Sequence, residues 1–314
     1  MAGNKDQLRY RDENAVKADF ESIYVADDPR DYYRVLYGLD YVIPDLARTI
    51  FQGVVRAMRS LRGHSPKVLD VGCSYGINAA LLKYPLNMDR LAARCRDLDL
   101  NGVSTEELID LDRHYFSSWP GERIEVVGLD SSGPAIDYAR SVGLVDHGIA
   151  ADLENGDLTP HQEALLSDVD LIISTGVVGY VGTSTFNKIL NAIEGPRPWI
   201  ASFVLRMMDY GPIEEKLASF GMVTEKLKGV TFVQRRFHSR QECVGVLDRI
   251  EARGLNPEGK EAEGLLHAEF FLSRPKGEQM SLELEQLTSV TSGANLRFGR
   301  RFRVTPDHSI RFGH

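Results

Sequence analysis

Residues 67–82, KVLDVGCSYGINAALL, impose the strongest constraint on what this chain can fold into. An apolar, β-rich run ends at Asp70, a glycine-punctuated turn spans Gly72 to Gly76, and an apolar helical stretch follows. That pattern is a strand leaving through a tight turn directly into a helix. Gly72 and Gly76 let the backbone approach a ligand closely, and the unsatisfied N–H groups at the helix start can hold an anionic group such as a carboxylate. Asp70 adds a negative charge at the mouth of the turn, which repels a pyrophosphate and favours an ammonium group.

The surrounding chain repeats the alternation. Short β-rich runs (RIEVVGLD, VDLIIST, WIASFVL and, late, HAEFFLS) are separated by helical stretches over about 64–275. The expected fold is therefore α/β, a doubly wound, mostly parallel sheet with helices on both faces. Residues 1–63 read as a helical segment and lid. Asp28 caps a helix with Pro29 at its first position, and Tyr33, Leu36 and Tyr37 recur at helical spacing. Pro44 opens a second helix, striped by Leu46, Ile50, Val54, Met58 and Leu61 and stopped at Gly63. A long insertion, 84–122, separates the first two strands; Ser104 with Glu107 forms a capping box, and the insertion is expected to lie over the site as a lid. Residues 212–221 and 239–254 read as helices and 230–237 as a strand. After 275 the chain turns polar and Arg-rich, as an arm or flexible tail for 276–314.

Charge narrows the function classes. The 37 Lys and Arg against 45 Asp and Glu leave the 314-residue chain at −8, which disfavours a nucleic-acid footprint on the main body. The basic cluster lies at the end, in Arg297, Arg300, Arg301, Arg303 and Arg311. It leaves open a protein or nucleic-acid partner, a solvated arm or a dimer-swapped extension, and with it a homodimer. Cys73, Cys95 and Cys243 are dispersed without metal-ligand spacing, so no metal is expected. No apolar run approaches a membrane span and no apolar leader opens the sequence, so a cytoplasmic protein is expected.

Three chemistries compete for the turn. A dinucleotide loop requires G-x-G-x-x-G, and Ser74 occupies the second glycine position. Gly72-Cys73-Ser74-Tyr75-Gly76 satisfies the G-x-S-x-G nucleophile elbow of an α/β hydrolase. In such a hydrolase, however, several strands precede the elbow, whereas here the preceding chain reads as helical. Asp209 with His238 or His267 could supply the acid and base, although spacing selects none of them. In the third reading VLDVGCSYG resembles motif I of the class I, Rossmann-like S-adenosylmethionine-dependent methyltransferases, with Asp70, Gly72 and Gly76 matching the pattern.

Three further stretches carry the resemblance. RIEVVGLDSSGPAIDYAR ends its strand at Asp130 and resembles the second motif, GIAADLENGDL resembles the adenine-contacting stretch, and VDLIISTGVVGYVG resembles the fourth strand at the methyl-transfer face. The resemblance covers about 67–182 firmly and thins towards 275. It implies S-adenosyl-L-methionine as cofactor and S-adenosyl-L-homocysteine as product. Asp70, Gly72, Cys73, Ser74, Gly76 and Asn78 would hold it at the first turn, Asp130 and Ser131 at the ribose, Asp152 and Leu153 at the adenine, and Ser174 and Thr175 at the transfer face. Two departures stand out: Ser74 at a position often filled by glycine, and the 60 residues separating Asp70 from Asp130.

Methyl transfer from a sulfonium is an in-line displacement that chiefly needs alignment, so a general base is optional. Candidates for such a base are Tyr180, His114 and His147. The N-terminal tyrosines Tyr24, Tyr32, Tyr33, Tyr37 and Tyr41 are placed to cover the cofactor and wall an aromatic or cationic pocket, with Tyr33 and Tyr37 as substrate contacts. The expected activity is transfer of a methyl group to an O, N or C atom of a small-molecule acceptor. The alternatives are the Ser74 hydrolase and a cofactor-binding module without catalysis.

Overall fold

The computed structural model describes residues 20–97, 102–279, 283–287, 302–304 and 310–312. Helices α1 (Glu21–Tyr24), α2 (Arg30–Gly38) and α3 (Ile43–Arg62) come first. Pro29 is the N-cap of α2, one residue beyond the expected cap at Asp28. The Asp28 carboxylate still serves the helix start, accepting the Arg30 backbone N–H at 3.0 Å. Pro44 lies in the first turn of α3, where its missing N–H costs nothing, and Gly63 ends the helix in the left-handed conformation.

Strand β1 (Val68–Val71) is buried at all four positions because it runs through the middle of the sheet. Helices α4 (Ile77–Lys83), α5 (Met88–Asp97) and α6 (Thr105–Ser117) lead to β2 (Val126–Asp130), α7 (Gly133–Ser141), β3 (His147–Ala150), α8 (Pro160–Leu166), β4 (Leu171–Thr175), α9 (Thr183–Ala192) and β5 (Trp199–Leu205). These five strands are parallel in the order β3-β2-β1-β4-β5. That order makes the sheet doubly wound and Rossmann-like, as expected. The chain reverses direction in the order between β1 and β4, which opens a crevice at the carboxyl ends of those strands.

Helix α10 (Gly211–Ser219), strands β6 (Met222–Lys226) and β7 (Phe232–Arg236), and helix α11 (Arg240–Ala252) precede β8 (Leu265–Pro275). β8 pairs antiparallel with β5, and its other side is shared by β6 along one half and β7 along the other. The side chains of β5 are buried throughout; Phe203 meets Phe51 of α3 at 5.5 Å and Phe270 of β8 at 4.9 Å. Each such aromatic contributes about 1.5–3 kcal/mol by leaving water, so α3 is fastened to the sheet by its apolar stripe.

Two strands escaped the sequence reading. β3 is four residues long with a single large apolar side chain, and β6 is half-exposed at the sheet edge, so neither carries a legible period. The segment after Pro275 also differs from a free arm at its start. Glu278 accepts from the Trp199 indole N–H at 2.5 Å and pairs with Arg62, and Leu284 is buried. Further on, Phe302–Val304 and Ile310–Phe312 pair as antiparallel strands, while Arg297, Arg300 and Arg301 lie outside the described residues. Among the described residues no helix is long and apolar enough to cross a membrane.

β7 and α11 are joined by a buried ion pair in which Arg235 meets Glu242 through both guanidinium NH₂ groups at 3.0 and 2.5 Å. Removing one partner leaves a charge buried without compensation. Glu242→Ala should therefore lose about 3–5 kcal/mol in urea unfolding, whereas Arg235→Met with Glu242→Leu should recover most of that loss.

Candidate functional site

The turn after β1 is built from left-handed residues: Gly72 (φ +72°), Ser74 (φ +47°) and Gly76 (φ +80°). Only Ser74 carries a side chain there, at a conformation that L residues rarely adopt. A methyl group on Gly72 would come within 2.5 Å of Val177 Cγ2, so glycine is required by space as well as by φ. Asp130, at the end of β2, holds this turn. Its Oδ2 accepts the Ser74 N–H at 2.8 Å and its Oδ1 accepts the Ser132 N–H at 3.0 Å. Burial raises the Asp130 pKa, and the N–H groups of Ser132, Ser74 and Ser131 counter that rise.

Two cavities adjoin here. One, about 280 Å³, runs from Gly72 and Leu129 past Asp130 and Ser131 to Asp152, Leu153 and Glu154, with Tyr180 on its far side. The other, about 410 Å³, runs from Ser74, Asn78 and Asp130 past Thr175 to the N-terminal helices. Gly72, Asp130, Ser131, Val177 and Tyr180 belong to both. The pair of cavities occupies the crevice between the β1 and β4 loops, where open α/β sheets bind ligands.

Most of the expected cofactor residues converge on these walls. Cys73, Ser74, Asn78, Asp130, Ser131, Asp152, Leu153 and Thr175 all line one or both cavities. Asp152 is pre-organised by the Glu154 N–H at 3.0 Å and the Asn155 carboxamide at 2.6 Å. Gly76 lies behind the wall, where a methyl group would come within 3.0 Å of Leu144 Cβ.

Asp70 departs from expectation: it lies not at the mouth but one layer behind Asn78, which donates to its Oδ1 at 3.0 Å and to Thr175 Oγ1 at 3.2 Å. Asp70 Oδ2 and the Ser74 hydroxyl are buried and have no hydrogen-bond partner among the described residues. Burial, with Asp130 adding repulsion against the Asn78 hydrogen bond, pushes the Asp70 pKa up to about 7.

Ser174 is not on either wall. It leaves the opposite face of the sheet, fully buried, and donates to Oγ of its β5 neighbour Ser202 at 3.0 Å. The strand's period of two explains this, since Thr175 next to it faces the crevice instead.

The expected bases separate in the same way. Tyr180 overhangs both cavities at 58% exposure. His147 opens β3 at the amino ends of the parallel strands, opposite the crevice, and sits 3.7 Å from Glu125. His114 is exposed on α6 with its ring 3.3 Å from the Asp110 carbonyl. Neither histidine lines either of these cavities, so the structure does not bring them to the crevice as expected.

Tyr33 and Tyr37 likewise face a small pocket against Met88 and Ala92 of α5, not the main crevice. Tyr24, Tyr32 and Tyr41 line the crevice in their place. The insertion is corrected too: none of its described residues lines either large cavity, and the cover comes from the N-terminal helices.

Sequence reasoning missed Glu154 and Gln234. Glu154 pins the start of α9 by accepting from the Gly182 N–H at 2.7 Å and the Thr185 hydroxyl at 2.5 Å. A carboxylate suits a helix N-terminus, but the 28-residue separation of Glu154 from Gly182 hides the pairing from the sequence. Gln234, on β7, reaches the crevice from the far edge of the sheet, and nothing local to its sequence marks it.

The elbow chemistry lacks its partners. No described histidine lines either cavity; His267 bonds Thr231 at 3.1 Å and is held neutral by burial, its pKa pushed down to about 3. Asp209 caps Gly211 at 3.0 Å.

No known family and no curated protein matches the chain. Solved structures similar to it include the plantazolicin methyltransferase BpumL in complex with SAH (13% identity, TM-score 0.42, covering 88% of this chain and 98% of that one). Others are BpumL with a triazolic desmethylPZN analog and SAH (12% identity, TM-score 0.41, 86% and 100% covered), and precorrin-6y C5,15-methyltransferase from Geobacter metallireducens GS-15 (10% identity, TM-score 0.34, 67% and 80% covered).

Because the folded-state pKa of Asp70 lies above its ordinary value, the native state holds a proton that the unfolded chain releases between about pH 4 and 7. Ionised Asp70 therefore destabilises the native state fully above pH 7 and not at all below pH 4. Asp70→Asn should raise stability by a few kcal/mol at pH 8 and by nothing near pH 4, as read by urea unfolding at both. Gly72→Ala should lower it at every pH.

Proposed function

We propose that this chain is an S-adenosylmethionine-dependent methyltransferase acting on a small-molecule acceptor. The observation that carries the reading is the convergence of Asp130, Asp152 and the Gly72–Gly76 turn on two adjoining cavities at the switch point of the sheet. The donor set suits the cofactor. Asp130 has lone pairs left beyond its backbone bonds for vicinal hydroxyls, Asp152 and Leu153 line the smaller cavity, and the buried Ser74 hydroxyl on the wall of the larger one has no partner among the described residues.

In this reading the smaller cavity holds the adenosine end, and the Ser74–Asn78 side of the larger one holds the amino-acid end. The cofactor, when bound, supplies an electrophilic methyl group on a positively charged sulfur. The chain's own residues do the remaining work. Asp130 fixes the turn and the ribose together, Asn78 relays the negative field of Asp70 towards an ammonium group, and the N-terminal tyrosines exclude water from the transfer face. Thr175 and Tyr180 stand beside the transfer face, where an acceptor would be aligned for in-line attack.

The crevice is far from the basic tail in sequence and carries one wall arginine, Arg235, already paired with Glu242. That favours a small molecule over a polyanion as acceptor.

Calorimetric titration with S-adenosylmethionine and S-adenosylhomocysteine, with a dinucleotide as control, tests the proposal. Both sulfur compounds should bind and the dinucleotide should not. Asp130→Asn should weaken binding by about 1.5–3 kcal/mol, the range for a hydrogen bond to a charged group. Ser74→Ala should only perturb it, whereas a hydrolase would be dead. Affinity should fall as pH drops through about 7, where Asp70 takes up its proton, and proton release on binding should appear as buffer-dependent heat.

A further inference from the structure

The half of the larger cavity beyond Thr175 is walled by groups that no cofactor contact uses. We infer that it takes a flat aromatic acceptor, neutral or positively charged, whose edge is read by the carboxamide of Gln234. The inference rests on the methyltransferase reading above and names the acceptor class for that site.

Shape and chemistry of the wall come first. Phe20, Tyr24, Tyr32 and Tyr41 surround this half, with Tyr32 meeting Tyr24 at 5.7 Å and Tyr41 at 6.3 Å, both edge to face. Such a cluster is already interlocked, so its rings offer fixed faces and edges to a guest. Ring against ring gains beyond plain burial, and ring faces also attract a cation. Burial holds the Tyr41 phenol protonated, its pKa pushed up to about 12, so it contributes no negative charge.

The charge balance then selects against anions. Asp130 lines the cavity and Asp70 lies behind Asn78, and neither is paired with a cation. The wall's Arg235 is committed to Glu242 through both NH₂ groups and to the Arg236 carbonyl at 2.9 Å. A carboxylate guest would enter a cavity whose described wall offers it no unpaired cation and carries the Asp130 carboxylate at its other end.

Gln234 supplies the directional element. It is only 8% exposed, yet its carboxamide bonds no described residue. Its Nε2 lies over Gly176, where a methyl group would come within 2.3 Å of it. The group is therefore held at the transfer face beside Thr175, with a donor and an acceptor both unspent. The carboxamide faces the cavity with its hydrogen-bonding capacity unspent, so a guest offering a complementary donor–acceptor edge is favoured over one lacking it.

The test is calorimetric titration of the full chain, with and without saturating S-adenosylhomocysteine, against three bicyclic probes of similar size: a quinolone, N-methylquinolinium and a naphthalene carboxylate. The quinolone and the quinolinium should each bind at least about tenfold more tightly than the carboxylate. Gln234→Leu should weaken the quinolone about tenfold, the scale of one neutral hydrogen bond, and leave the quinolinium and S-adenosylhomocysteine unchanged. Gln234→Met is the second variant, should the leucine protein fail to fold. Equal or tighter binding of the carboxylate, or unchanged quinolone affinity in a folded Gln234 variant, overturns the inference. Absence of S-adenosylhomocysteine heat would sink the cofactor reading separately, because the probe ranking is also measured without it.

Discussion

Everything at the site hangs on the carboxylate of Asp130. By accepting from Ser74 on one side and Ser132 on the other, it welds the loop after β1 to the loop after β2. Ser74 sits at φ +47°, a conformation that costs free energy and persists only where its surroundings enforce it. The Asp130 bond to its N–H is that enforcement. The same carboxylate also lines both cavities, so one group sets the geometry of the turn and the charge on the shared wall, and neither can change without the other.

The neighbouring acid illustrates the opposite bargain. Asp70 is fully buried, satisfied on one oxygen by Asn78 and left orphaned on the other. A core selected for stability alone would place an apolar or amide side chain there. Keeping a carboxyl that weakens the native state at neutral pH makes sense where its charge acts on something that enters the crevice. The Asn78 carboxamide, which bridges Asp70 and Thr175, ties that charge to the end of β4. The sites of both acids are thus mechanically continuous across the switch point.

The sheet and the first turn were legible because they are local: an apolar run, a glycine turn and a helix occupy sixteen consecutive residues, and β-rich runs recur after them. Asp130 was legible for the same reason, standing at the end of a β-rich run, whereas Asp152 and Leu153 were reached only through the family resemblance, because the short β3 before them carries no legible period. What failed was orientation across longer range. His147 has the right neighbours in sequence but starts its strand, so it faces the wrong end of a parallel sheet. Ser174 and Thr175 differ by one residue and point to opposite sides of the sheet. Tyr33 and Tyr37 share a helix with Tyr32, yet only Tyr32 turns towards the crevice. Gln234 could not be found locally at all, because its place depends on β7 pairing with β8.

The insertion shows how a correct reading of length can mistake role. The described residues of 84–122 do not line the crevice; they brace the segment that covers it. Arg30 donates to the Val103 carbonyl at 3.0 Å, and the Thr105 hydroxyl donates to Asp28 at 3.0 Å, so the corner between α1 and α2 is tied to the start of α6. Arg94 and Tyr138 both engage Asp112, fastening α5 and α7 to the same helix. From the other side, the Tyr75 hydroxyl in the first turn donates to the Ile23 and Ala26 carbonyl oxygens, 2.9 Å from each. The tyrosine cover is therefore held between the glycine turn and the insertion. Because one end of that clamp is the glycine turn itself, the floor of the crevice and its cover share one set of hydrogen bonds, and Tyr75 joins them.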